Sequence, residues 1–368
     1  MILELELKNK SLLGLLPDQL AEILAEFKEP AFRALQIYKW LHHHNVDSFE
    51  EMTNIPKGLR HVLSEKYRIK TFELSRRESS ADGTEKFLWK LWDCKYIESV
   101  LIPDGDRNTL CISSQVGCSL GCHFCATGLM GLIRNLTVGE IVEQILQVNA
   151  LTGKKITNVV FMGMGEPFMN YPRVIQASKI MADPEGMAIA GRRITISTSG
   201  IVPRIYDFAD QNHPFGLAIS LHAPEQTLRE QLMPIAKKFP LEELIKVARY
   251  YLSKHKRRRI TFEYVVLEGV NDSLETATKL IKLLSGLRCK LNIIPYNDTA
   301  LGYHAPSGER LQTFVSELMK APFTVTVRKS RGQDIAAACG QLFVEATAET
   351  RPRFLEPPLS ERFAVQKN

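Results

Sequence analysis

The chain has 368 residues, 45% apolar and 24% charged, enough for one large core or for a large domain with a smaller one attached. A formal charge of +6 hints at a polyanionic partner without requiring one. The first twenty residues, MILELELKNKSLLGLLPDQL, lack the basic flank and apolar run of a secretory signal, and no stretch of about 18 apolar residues occurs. No membrane segment is therefore expected, and a cytoplasmic location is.

Residues 1–71 read as a small helical accessory domain. Apolar positions recur at three- and four-residue spacing over Pro17–Phe27, Ala31–His43 and Gly58–Tyr67. Pro17 suits a first helical turn, where its missing N–H costs nothing. The period then changes. Residues 72–107 read as a β-meander extension, with Ala81-Asp82-Gly83 as one hairpin turn.

From 108 to 345 strand and helix alternate. Strands are predicted at 108–114, 157–162, 193–198, 215–221, 260–267 and 290–295, and helices at 137–150, 172–182, 201–210, 240–254 and 273–285. A last helix, 307–320, precedes a strand at 323–328. About six βα units predict an α/β fold, a partial and open β/α barrel, followed by a C-terminal tail at 346–368. In such sheets chemistry gathers where strands end.

Cys118, Cys122 and Cys125 fall within eight residues, in the loop after the first core strand. In a reducing compartment this spacing suits metal ligands better than disulfides. Three thiolates can hold three corners of a [4Fe–4S] cubane and leave the fourth iron open. Zinc is the alternative, but structural zinc wants four ligands, no second Cys pair lies nearby, and His123 sits awkwardly between two of the cysteines.

C-x3-C-x2-C with Phe124 before the last cysteine resembles the signature of the radical S-adenosylmethionine (SAM) enzymes. That resemblance implies SAM on the open iron, cleaved by one electron to methionine and a 5′-deoxyadenosyl radical. It also implies that Gly165 and Glu166, in FMGMGEP, contact the amino-acid part of SAM. Ser197, Ser220, Leu221, His222 and Asn297, at later strand ends, become candidates for its ribose and carboxylate. A lone histidine such as His222 is more often structural.

The likeness extends further. LCISSQVGCSLGCHFCATG, RNLTVGEI, NVVFMGMGEP, AISLHAP, FEYVVLEGVND and RKSRGQDIAAACGQL resemble the RlmN/Cfr group of RNA methyltransferases, and most of all the RlmN type that modifies adenine C2. So does the N-terminal set Arg33, Gln36, Ile37 and Trp40. The resemblance implies a methyl-carrying Cys339, a resolving Cys111 that releases product through a disulfide, and Glu98 as proton acceptor. It implies 23S rRNA and tRNA as substrates, a helix-hairpin-helix-like N-terminal domain that helps hold RNA, and a flavodoxin-like electron donor. A monomer is the default expectation. A radical route makes physical sense, because adenine C2 and C8 are too poor as nucleophiles to attack a sulfonium directly.

Readings that stay open are the same machinery aimed at C8, a non-catalytic RNA-binding protein with a structural metal, and a radical SAM enzyme for a small metabolite. Candidate phosphate grips are Lys254–Arg259, Arg192–Arg193, Lys237–Lys238 and the run Arg328, Lys329, Arg331, with His42, His43, His44, Lys57 and Arg60 as a second surface. Cys94 and Cys289 lie in apolar strand patterns and are expected in the core.

Overall fold

The computed structural model describes residues 11–299 and 301–343, so the 346–368 tail lies outside the described residues. Near the N-terminus, α1 (Pro17–Glu26), α2 (Phe32–Lys39) and α3 (Lys57–Lys66) pack around Leu20, Leu24, Ile37, Leu41 and Leu63, all buried. After α2 the chain widens into one π-helical turn, Trp40–His44, and leaves it at Asn45 in the left-handed conformation. The Arg33/Gln36/Trp40 motif is internal scaffolding. Arg33 donates to Gln36 Oε1 (2.8 Å) and to the Asn54 carbonyl (2.9 Å), and Trp40 Nε1 donates to Asn54 Oδ1 (2.6 Å).

A meander follows: β1 (Phe72–Ser79), β2 (Glu85–Leu91), β3 (Tyr96–Asp104) and β4 (Arg107–Cys111), each antiparallel to the one before. From β4 the sheet becomes parallel. After a separate hairpin of β5 (Gln115–Cys118) and β6 (Gly131–Asn135), with α4 (Ala126–Leu129) between its strands, α5 (Val138–Thr152) crosses to β7 (Asn158–Phe161). Then come α6 (Tyr171–Ala182), β8 (Ile194–Thr198), α7 (Val202–Asp210) and β9 (Gly216–Ser220). The chain continues through α8 (Gln226–Leu232), α9 (Leu241–Lys254), β10 (Ile260–Val266), α10 (Leu274–Leu284), β11 (Cys289–Pro295), α11 (Gly308–Leu318) and β12 (Thr324–Val327).

The main sheet has ten strands in the order β1-β2-β3-β4-β7-β8-β9-β10-β11-β12, and its two edges do not pair. The result is an open, partial barrel with six helical crossovers, as the alternating pattern predicts. Predicted and observed element ends agree within a few residues, because each core strand is a short apolar run bounded by turn residues. The β5–β6 hairpin went unpredicted: its residues are split by the cysteine loop and carry no period.

The N-terminal helices share one continuous apolar core with the barrel. Polar ties cross the seam. Asn45 Nδ2 donates to the Leu146 carbonyl (2.8 Å), and Gln176 Nε2 to that of Gly14 (2.7 Å). Buried Glu143 on α5 accepts from the Thr71 backbone and hydroxyl and from Gln147. Burial pushes its carboxyl up to about 7 while these donors pull the other way. No helix among the described residues is long and apolar enough to cross a membrane.

One core expectation fails. Cys289 is buried in β11, but Cys94 is exposed at the β2–β3 turn in a left-handed conformation (φ 59°). Of the apolar residues around it, Leu91, Tyr96 and Ile97 belong to the strands that flank the turn and Trp92 to the turn itself, and no local period marks the reversal.

Candidate active site

The concave face of the parallel strands carries a cleft at their C-terminal ends. Cys125, Gly165, Glu166, Ser197, Ser220, His222, Asn297 and Cys339 all line it. Leu221 does not: its side chain is fully buried in the core.

Cys118 ends β5, and the loop that follows turns through Cys122 and Cys125 into α4. None of the three is in a disulfide. Burial pushes every one of these thiols up, Cys118 to about 12, and each lies close enough to the others to raise them further or be raised. Half-buried, clustered thiols are costly to ionise alone and become favourable when cationic iron takes their charge. No three His, Cys, Asp or Glu side chains among the described residues converge as ligands of one ion. A cubane spreads its three protein contacts over three irons, so the donor set suits it better than a single zinc.

The FMGMGEP turn is a packing solution as much as a ligand cradle. A Cβ on Gly163 would lie 2.7 Å from the Ile112 carbonyl carbon, and one on Gly165, at φ +97°, would lie 2.5 Å from Gln115 Cβ. Gly163 is demanded by the close approach of the Ile112 backbone, and Gly165 by the Gln115 side chain together with its positive φ. Glu166 is buried and already accepts from the Phe168 N–H (2.9 Å) and the Ser199 N–H (2.8 Å), which joins the ends of β7 and β8. Burial raises its carboxyl while those bonds oppose the rise.

His222 has a structural task. Its Nδ1 accepts from the Val265 N–H (3.0 Å), its carbonyl accepts from Asn271, and its ring meets Phe124 edge-on at 4.8 Å. Burial, helped by nearby Arg229, lowers it to about 3, so the ring is neutral. Arg229 itself was not picked out from the sequence. Fully buried on α8, it donates to the carbonyls of Ser199 (2.8 Å), Ser220 (3.2 Å) and Leu221 (3.2 Å), pinning two strand ends beneath the cleft.

Cys111 and Cys339, 228 residues apart in sequence, are brought together. Cys111 ends β4 beside Val160 of β7 and is pushed up to about 12, first by burial and then by the Cys339 sulfur. The segment carrying Cys339 is held from several sides. Asn297 donates to the Cys339 carbonyl (3.1 Å), the Ala126 N–H to that of Gly340 (2.8 Å), and Thr127 Oγ1 to that of Leu342 (2.6 Å). Arg328 Nη1 lies 2.9 Å from Cys339 Sγ.

Glu98 on β3 does not line the cleft, yet it is tied to the same segment through the Phe343 N–H (3.0 Å). Buried Lys86 stands 3.4 Å from Glu98 and 3.1 Å from Glu78. Burial raises the Glu98 carboxyl, and Lys86 partly offsets that rise.

A second cavity lies toward the N-terminal ends of the same strands, lined by Arg107, Arg193, Lys290, Arg328, Lys329 and Arg331. Of the phosphate grips expected from sequence, Arg193, Lys329 and Arg331 are here, and Arg107 and Lys290 join them. Arg328 is engaged with Cys339, and Arg258 with the His213 carbonyl. His42 and Arg60 are buried in the helical region and offer no surface, because each fills the interior of a short helical layer.

An open barrel with a three-cysteine loop and a glycine-acid turn at one rim defines the radical SAM class. The family model "Radical SAM superfamily" matches residues 112–281. A solved structure, a radical SAM methyltransferase from Sphaerobacter thermophilus, superposes with TM-score 0.87 at 44% identity, covering 90% of this chain and 99% of that one. The model "Ribosomal RNA large subunit methyltransferase N-terminal domain" matches residues 10–69. The "Dual-specificity RNA methyltransferase RlmN" of Marinomonas sp. (strain MWYL1) is 45% identical, over 94% of this chain and 96% of its own. The "Probable dual-specificity RNA methyltransferase RlmN" of Alkaliphilus oremlandii (strain OhILAs) is 47% identical, over 90% and 96%. This chain belongs to the RlmN family of RNA methyltransferases, enzymes that use a [4Fe–4S] cluster and SAM.

Proposed function

We propose that this enzyme methylates C2 of adenine in 23S rRNA and in tRNA, through an S-methylcysteine at Cys339. The observation that carries this reading is that Cys339 lines the same cleft as Cys125 of the cluster loop and lies close enough to Cys111 to raise its thiol. The names of the relatives support RNA of two kinds as substrate.

Cys118, Cys122 and Cys125 would hold the cluster, with Gly165, Glu166, Ser197, Ser220 and Asn297 around SAM. Bound there, the cluster supplies the electron that cleaves SAM. Cys339 would first take a methyl group by displacement and, once the radical chemistry supplied by cluster and SAM has removed one hydrogen from it, would carry that carbon to the adenine, joining protein and RNA covalently. Glu98 takes the proton from the substituted carbon. Cys111 then attacks the Cys339 sulfur, and the disulfide so formed frees the methylated base. Dry surroundings keep Cys111 a thiol until that step. Residues 1–71 and the basic cavity would hold RNA, whose target adenine must leave its stack to be reached. A flavodoxin-like protein would deliver electrons to a monomer in the cytoplasm.

The test is anaerobic reconstitution with iron and sulfide, followed by SAM, reductant and a 23S rRNA or tRNA fragment, with digested nucleosides read by mass spectrometry. 2-Methyladenosine is the expected product. 8-Methyladenosine would overturn the regiochemistry, and 5′-deoxyadenosine with no methylated base would overturn the substrate.

A further inference from the structure

The two cavities meet at one cation. Arg328 lines the basic cavity, while its Nη1 reaches 2.9 Å to the sulfur of Cys339, a residue of the other cleft. Its backbone is fixed where β12 runs out, with its N–H donating to the Ile293 carbonyl (2.8 Å). The guanidinium is held firmly charged, first by Cys339 and then by Cys111 and Glu263, against the cost of burial. Glu263 accepts from Asn292 (2.7 Å), and the Cys339 sulfur is the group that Arg328 bonds directly.

Methyl loading changes that balance. The thiolate of Cys339 attacks the methyl carbon of SAM, an S–C bond forms, and the sulfonium S–C bond breaks with its electron pair kept by the departing sulfur. One negative charge and one positive charge disappear, two neutral thioethers remain, and no electron donor is needed. The guanidinium keeps its charge and loses its anion, because a thioether is only a weak acceptor. A guanidinium whose donor was taken up by the sulfur is then freed, with Glu263 still beside it, toward a cavity already rich in arginine and lysine.

We propose that Arg328 couples the two cavities: it pairs with the Cys339 thiolate during methyl loading, and afterwards it turns to RNA phosphate or base. RNA thus binds the loaded enzyme in preference to the empty one. This rests on the reading of Cys339 as methyl carrier.

The test is a double-mutant cycle on reconstituted enzyme without reductant, with RNA affinity measured across a salt series. Cys339→Ala, which removes the sulfur that Arg328 bonds, should bind an RNA fragment roughly three- to tenfold tighter than unmethylated wild type, with a salt slope steeper by about one phosphate contact. Arg328→Gln and Arg328→Gln/Cys339→Ala should bind alike. Equal affinities for wild type and Cys339→Ala, or a difference that persists without Arg328, would overturn the coupling. In parallel, labelled methyl transfer from SAM to the protein should slow roughly tenfold or more in Arg328→Gln and recover partly in Arg328→Lys, at unchanged iron content. Unslowed loading in Arg328→Gln would also count against it. Absence of label on Cys339 in wild type would instead remove the methyl-carrier reading beneath it.

Discussion

Alternate residues of the same parallel strands line two cavities of opposite character. Asn158, Val160 and Met162 run from one to the other along β7 and just past it, and Thr261, Glu263 and Val265 do so along β10. Toward the C-terminal ends, polar groups are buried and already bonded: Glu166 to two backbone N–H groups, His222 to a third, Asn297 to Cys339 and Gln333. Toward the N-terminal ends, Arg107, Arg193, Lys290, Lys329 and Arg331 surround an open space of about 1470 Å³, faced by Asp104 and Glu263. A fixed, dry rim suits a small ligand whose reacting atoms must be placed accurately. A wet basic hollow suits a polyanion whose binding depends on salt. The strands provide both because the two-residue period puts one row of side chains on the concave face from end to end.

This contrast can be broken most severely at the rim. Cys122→Ala should lose the brown cluster and all methylation, while RNA affinity at fixed salt stays within about threefold; iron and sulfide assay with filter binding reads both. Cys339→Ala should also abolish methylation, but with full iron content. Cys111→Ala should stop one step later, leaving RNA attached to protein on a denaturing gel. Normal turnover in either cysteine variant would remove the methyl-cysteine route.

A more graded effect is expected at Glu98. Protonated, it cannot accept a proton, so product release should fail as pH drops through its raised value. Lys86 opposes that rise, so Lys86→Met should move the acidic limb of the release profile to higher pH. An unmoved limb would separate Glu98 from the rate-limiting proton transfer.

The smallest effects belong to the basic cavity. Arg107→Ala or Lys290→Ala should weaken RNA binding several-fold and flatten the salt slope by roughly 0.7–0.9 per lost contact, with SAM cleavage in the absence of RNA unchanged. Arg257→Ala, in the exposed basic run outside the cavity, should change affinity by under about 0.5 kcal/mol. A uniform loss across all three would mean a diffuse basic face with no defined port.

Much of the fold was legible because its signals are local. Each βα unit announces itself by a short apolar strand, a turn and an amphipathic helix, and the eight-residue cysteine cluster marks the cluster loop without help from distant residues. Resemblance added Cys111, Cys339 and Glu98, which spacing alone could not have joined. The resemblance implies that Gly165 contacts SAM, whereas much of the space a side chain would take at Gly163 and Gly165 is filled by Ile112 and Gln115. Cys94 looked like core because Leu91 and Ile97, three residues to either side, are.

What only the tertiary structure decided is the set of contacts between segments far apart in the chain. Arg328 stood in a basic run and read as a phosphate grip; its bond to Cys339 exists because β12 ends beside the loop that returns that cysteine to the rim. Arg229 drew no notice in the sequence, yet it ties two strand ends together. A charged side chain looks the same in sequence whether it meets water or a buried partner. The sequence determines where strands and helices form through side-chain period and turn chemistry, which act over a few residues; the partner of each buried charge depends on chain closure over hundreds.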